Sequence, residues 1–374
     1  MIYLDYQATS PLAAEAAAAM RPWIETNFGN PHSPHRIGRE AAAAIEVARG
    51  HVLAALGEGA DQGKLYFTSG ATEAANWALK GAVADLPEGR THIATLPTEH
   101  ACVLDTAYWL EAEGRVLDRL PISPDGLADV EAAAEIIDNC TAMVAAMLVN
   151  NEIGVIQPVE DLSRLAREQG ALFFCDAVQG FGRIPIPVHS CDLIALSAHK
   201  VHGPKGIGAL WIRSGVEIEP LLHGGGQEGG IRSGTLSPAL CVGFGVAAQL
   251  INEKRAEDAA HVESLWNIAN EAMKGWTING STEQRYKGNL SLRRDGIDAT
   301  RLISEIREVA FSAGSACASG SGRPSHVLAA LGLSDAEARS SIRLGFGRYT
   351  SEEELRTALT LILEGTERQR TLAS

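Results

Sequence analysis

Hydrophobic and polar positions along this chain fall into blocks whose period changes from two to three-and-a-half and back. From residue 10 to about 250, short apolar runs alternate with helix-period segments. The runs are KLYFTSG (64–70), THIATLP (91–97), VLDRLPI (116–122), TAMVAAMLVNN (141–151), ALFFCDA (171–177), DLIALSA (192–198) and IGALWIR (207–213). Several are almost continuously apolar, as strands buried on both faces of a parallel sheet must be. Between them, stretches such as ATEAANWALKGAV and VEDLSRLAREQG carry apolar residues at helical spacing. The alternation predicts an α/β fold: a large domain over residues 11–250 with a mainly parallel seven-stranded sheet and ligand sites at the strands' carboxyl ends.

After about residue 250 the texture changes. INEKRAEDAAHVESLWNIANEAMKG predicts a long helix, followed by the strand candidates WTING, NLSLRR, VAFSAGSA and SSIRLGFGR. Ser351 and Glu354 then form a capping-box pattern that opens a last helix. This predicts a smaller α+β domain from 251–374, completed by residues 1–10.

Composition narrows the function classes. A chain of 374 residues with 45% hydrophobic and 21% charged positions suits a globular protein of two domains. The net charge of −14, from 32 Lys+Arg against 46 Asp+Glu, argues against nucleic acid or an anionic membrane as partner. MIYLDYQATS lacks the basic and apolar regions of a secretory signal, and no run of 18 apolar residues occurs, so a cytoplasmic location is expected. Six cysteines, at 102, 140, 175, 191, 241 and 317, form no CxxC pair, and the histidines show no HExxH spacing. His199 and His202 are three apart without a helical pattern, and no metal site is expected. Gly224 to Gly229 spells GxGxxG, but it leads into polar IRSGT with no strand before it, which excludes a dinucleotide loop.

Three segments carry candidate chemistry. In FTSGATEAANWALK a strand passes through Gly70 into a helix starting near Ala71 and Thr72, which is either an ordinary corner or a seat for phosphate. In FFCDAVQG, Asp176 and Gln179 follow a very apolar strand; the carboxylate either caps a helix or faces a cation. In LIALSAHKVHGPKGIGAL, Lys200 lies between a strand and a Gly-rich turn, with Ser197, His199 and His202 near it and Lys205 as the competing candidate. A lysine desolvated there becomes a nucleophilic amine; left solvated, it is inert. Together the three suggest pyridoxal 5′-phosphate: lysine for the aldehyde, acid for the pyridinium nitrogen, helix end for the phosphate. Cys140, Cys175 and Cys241 lie in or beside apolar runs and read as core residues, whereas Cys317 stands in FSAGSACASGSG with nothing large to pack against it.

The runs YLDYQATSPL, FGNPHSPHRIGREA, FTSGATEAAN, TEHACVLD, VNNEIGVIQP, DAVQ, SAHKVHGPKGIGAL, HGGGQEGGIRSGT, SAGSACASG and SSIRLGFGR, in that order over residues 3 to about 350, resemble the cysteine desulfurases of the NifS/IscS type. These are pyridoxal-phosphate enzymes with the class V aminotransferase fold (fold type I). The resemblance implies that Lys200 carries the cofactor and moves the Cα proton. It implies that Asp176 pairs with the ring nitrogen, that Gln179 bonds the ring's phenolic oxygen, and that His100 stacks on the ring and assists proton transfer. Ala71, Thr72, Ser197 and His199 match phosphate contacts, and Thr235 matches a residue reaching the phosphate of a neighbouring subunit. Asn151 and Arg343 match the clamp on the substrate carboxylate.

On the same resemblance, L-cysteine becomes L-alanine while the thiolate of Cys317, in a loop over 311–324, takes the sulfur as a persulfide. The loop resembles the longer of the family's two types, which hands sulfur to a scaffold protein for iron–sulfur cluster assembly; a transient cluster bridged through Cys317 is conceivable. A homodimer is implied by Thr235 and the HGGG stretch. The chain departs from the family pattern at Gln7, Ser10 and Gly229, and it stops at Ser374, where longer relatives add a docking tail. The rival readings are a selenocysteine lyase, a class V aminotransferase with no need of Cys317, and a catalytically silent scaffold of the same fold.

Overall fold

The computed structural model describes residues 1–84, 89–314 and 325–373. Twelve strands occur among them: β1 (Ile2–Tyr3), β2 (Gly63–Thr68), β3 (His92–Thr95), β4 (Val116–Arg119), β5 (Thr141–Met147), β6 (Leu172–Asp176), β7 (Leu193–Ser197), β8 (Gly208–Arg213), β9 (Thr277–Ile278), β10 (Asn289–Arg293), β11 (Val309–Ala310) and β12 (Ser341–Gly345). The seven apolar runs of the large domain all become strands of one sheet, in the order β2-β8-β7-β6-β5-β3-β4. Only β8 runs antiparallel to its neighbours there. The start of β8 therefore lies at the same edge as the ends of the other six. Every residue of β5 is buried, as its unbroken apolar run requires.

Helices cover both faces. Ala71–Ala82 and Ala101–Ala112 pack on one with Phe174, Ala195 and Leu210. Arg36–Leu56 and the first half of Pro238–Ala272 pack with Phe67, Phe173 and Trp211 in the other core. The long helix begins at Pro238, thirteen residues before the segment that sequence periodicity marked as helical, and Ser237 accepts a hydrogen bond from the Leu240 amide to open it. Cys241, Phe244, Ala248 and Ile251 join the core of the large sheet, whereas Val262, Leu265, Trp266 and Ala269 join a second core. One rigid rod of 35 residues thus links the two.

The second core lies under the antiparallel β12-β10-β9 sheet and the helix Glu352–Ala373. The N-terminus completes it: β1 pairs in parallel with β11, and Asp5 bridges to Gly345. Ser351 and Glu354 exchange side chain-to-amide bonds at 3.0 and 3.1 Å, the capping box read from the sequence.

Candidate active site

The carboxyl edge of the sheet opens on a cavity of about 710 Å³. Ala71, Thr72, His100, Asn151, Asp176, Gln179, Ser197, His199, Lys200 and Arg343 all line it. Thr235 does not; it is exposed on a surface loop. Cys317 lies outside the described residues.

Lys200 follows the end of β7. Its Nζ donates to the carbonyl oxygens of Gln7 at 2.6 Å and Ala8 at 2.7 Å, which aims the amine across the cavity floor. Burial, then the charges of Arg183 and Arg343, lower its pKa to about 8. The N-terminal segment that supplies these carbonyls is sewn to the lysine turn: Ser10 Oγ donates to His199 O at 2.9 Å and accepts from His202 N at 2.7 Å. Ser10 and Gln7 vary the family pattern, and both are structurally engaged; Gln7 Nε2 donates to Gly288 O at 2.8 Å.

Asp176 ends β6 and is 5% exposed. Its Oδ1 accepts from Val178 N at 3.0 Å, and among the described residues it has no ion-pair partner. Burial raises its pKa, while His100 and Lys200 pull the other way. A cation placed against Asp176 would hold it ionised. Gln179 is oriented from behind: Arg183 donates to its Oε1, so its amide nitrogen must point the other way, where it donates to Gln7 O at 2.9 Å. Arginine has only donors, which fixes the amide assignment.

His100 caps the helix Ala101–Ala112, its Nδ1 accepting from Cys102 N at 3.1 Å. The neutral ring therefore carries its proton on Nε2. Burial lowers the pKa of His100 and brings that of His199 to about 4, so both rings are neutral near pH 7. His199 Nδ1 lies 3.1 Å from Thr9 Oγ1.

The helix Ala71–Ala82 starts without any side-chain cap, leaving its first amides facing the cavity edge. The close approach of β8 to the loop before this helix depends on glycine. A Cβ on Gly208, at the start of β8, would stand 2.5 Å from Leu196 O and 2.7 Å from the Gly70 carbonyl carbon. Glu73 tethers the surrounding loops, accepting from Ser69 N at 2.7 Å and from Arg232 Nε at 2.8 Å. Glu228, at 2.8 Å from Arg49, does the same for the HGGGQE run, which is followed by Gly229 at φ +71°, a left-handed conformation that suits glycine.

Arg343, on β12, is 1% exposed. Nη1 donates to Asn151 O at 3.0 Å and Nη2 to Asp5 Oδ1 at 2.8 Å, while Nε is buried with no partner among the described residues. The guanidinium is thereby fixed at the cavity wall, where a planar fork of donors suits a carboxylate.

The cavity also holds residues that sequence reasoning did not select as site residues. Glu152, in the NNE run, accepts from Ser325 Oγ, and burial raises its pKa against the pull of His326 and Arg343. His326 Nε2 lies 2.8 Å from Glu99 O. Lys205, the competing lysine, lines the same cavity but is exposed, so burial favours Lys200 as the neutral amine.

A buried amine of lowered pKa, a buried carboxylate lacking a cation and an uncapped helix start fit pyridoxal phosphate. The comparisons agree. The sequence model of the family Aminotransferase class-V matches residues 2–357. A protein named Cysteine desulfurase IscS from Rickettsia bellii is 45% identical over 96% of this chain and 90% of its own length. Its namesake from Rickettsia rickettsii is 44% identical over 100% and 92%. A solved structure titled NIFS-LIKE PROTEIN superposes with TM-score 0.90 at 34% identity, covering 97% of this chain and 98% of that one. Another, titled SspA in complex with cysteine, gives 0.82 at 36% identity over 94% and 100%. The chain belongs to the pyridoxal-phosphate-dependent class V aminotransferase family and, within it, to the cysteine desulfurases.

Proposed function

We propose that this enzyme converts L-cysteine to L-alanine and passes the sulfur to Cys317 as a persulfide, for delivery to an acceptor protein in iron–sulfur cluster or other thio-cofactor assembly. The observation that carries the reading is the convergence of Lys200, Asp176, His100 and Arg343 on one cavity in a chain 45% identical to a cysteine desulfurase. A structural neighbour whose title records bound cysteine supports the substrate.

Pyridoxal phosphate, when bound, supplies an electron sink that acidifies the substrate Cα–H. Asp176 would hold the ring nitrogen protonated, Gln179 would offer its amide N–H to the ring's phenolic oxygen, and the first turn at Ala71 and Thr72, with Ser197 and His199, would take the phosphate. Arg343 binds the substrate carboxylate, its guanidinium held in place by Asp5 and by Asn151 O. Lys200 takes the Cα proton, and the neutral His100 ring, its proton on Nε2, would stack on the bound cofactor and assist that transfer by hydrogen bonding. Cys317 attacks the substrate sulfur as the thiolate. The Cβ–S bond breaks with its electron pair left on carbon, protons complete alanine, and the new S–S bond keeps the sulfur on the protein. L-cysteine plus thiol thus becomes L-alanine plus persulfide, with no external redox partner.

The functional unit is a homodimer on this reading. Leu12, Ile24, Phe28 and Ile37, all within the first 40 residues, are 43%, 69%, 87% and 37% exposed in the single chain and would be covered by a second copy, and Thr235 is exposed and could reach across.

The test is alanine and sulfide release from L-cysteine with a thiol reductant. Wild type is expected to release both and Cys317→Ala neither; full release by the variant would favour a lyase reading.

A further inference from the structure

Arg183 touches the lysine turn from the side away from solvent. Its Nη2 donates to Lys200 O at 3.0 Å, its Nη1 to Gln179 O at 3.1 Å, and its guanidinium lies 5.3 Å from the centre of the Tyr286 ring. None of these contacts carries a negative charge, and among the described residues Arg183 forms no ion pair. Asp258 shares the small cavity of about 50 Å³ beside it but is engaged by Arg348 at 2.6 Å.

Other titratable groups also face Lys200. Asp5, from the N-terminal segment, is paired at 2.8 Å with Arg343 from β12. His199 on the same turn and His100 on the neighbouring helix are neutral near pH 7. Asp176, from β6, and the buried Glu152 also line the cavity, as does the exposed Lys205. Arg183 is held directly against the lysine turn with no carboxylate partner among the described residues, and a cation near an amine disfavours its ammonium form.

We propose that Arg183 is a positioning residue that keeps Lys200 a neutral amine and pins the turn that aims it. The proposal rests on Lys200 being the cofactor-bearing lysine. It is tested with Arg183→Gln, which keeps donors but removes the charge, and Arg183→Lys, which keeps the charge. In the full chain without cofactor, acetic anhydride labelling of Lys200 is followed against pH by mass spectrometry of its peptide. In the loaded enzyme, the pH midpoint of the cofactor's visible absorption is followed.

Both midpoints should rise by ~1 unit in Arg183→Gln and return to the wild-type value in Arg183→Lys. Coincident labelling midpoints in wild type and a folded Arg183→Gln would overturn the proposal. So would a Lys variant shifted as far as the Gln variant, since charge would then not be the cause. A labelling shift without any absorption shift would uphold the action of Arg183 on Lys200 and refute the assignment of Lys200 to the cofactor.

Discussion

At the scale of single residues, a guanidinium only 1% exposed must be held, and the Nη atoms of Arg343 are held by Asp5 and Asn151 O. Lysine cannot reproduce a planar fork. Arg343→Lys should therefore raise KM for L-cysteine about 10- to 100-fold, the worth of one charge-assisted hydrogen bond of ~1.5–3 kcal/mol, and change kcat less. Steady-state kinetics at fixed cofactor loading checks this. Lys200 makes a prediction about pH. With its pKa near 8, the neutral form grows as pH rises and saturates just above that value. The rate of cofactor uptake by the unloaded protein should climb to about pH 8–9 and level off; a climb continuing past the ordinary lysine range near 10.5 would contradict it. Lys200 and Asp176 were legible in the sequence because each stands in a motif at the end of an apolar run, whereas His100 was reached only through the family resemblance. Glu152, His326 and Arg183 were not, because their surroundings come from segments distant in sequence; Glu152 meets Ser325 across 173 positions.

At the scale of elements, the strands of the large sheet were readable because burial on both faces leaves unbroken apolar runs. The first half of the helix Pro238–Ala272 was not. Its PALCVGFGVAAQL opening contains two glycines that propensity counts against a helix. Packing explains them. A Cβ on Gly243 would lie 2.5 Å from Met20 Sδ, and one on Gly245 would lie 2.6 Å from the Cα of Ala48, where the helix crosses Arg36–Leu56. The backbone of Ala48 cannot yield as a side chain can. Gly245→Ala should destabilise the fold by ~1–3 kcal/mol despite its better helix propensity, read as a lower thermal midpoint. An unchanged or raised midpoint would show that the two helices have slack.

At the scale of the whole molecule, the proposed dimer would cover the exposed side chains of Leu12, Ile24, Phe28 and Ile37. Phe28→Asp should shift the protein toward monomer in light scattering, and the loss of activity should follow the loss of dimer. The central claim, however, concerns where the sulfur goes. Cys317 was singled out by its neighbours in sequence, small residues that leave a thiol unpacked, and that reading stands on chemistry that can be observed directly. The deciding measurement is mass spectrometry of the Cys317 peptide after one equivalent of L-cysteine is added to the loaded enzyme without reductant. The account predicts one added sulfur atom on Cys317, in step with one alanine released. Alanine release with an unmodified Cys317 would contradict it.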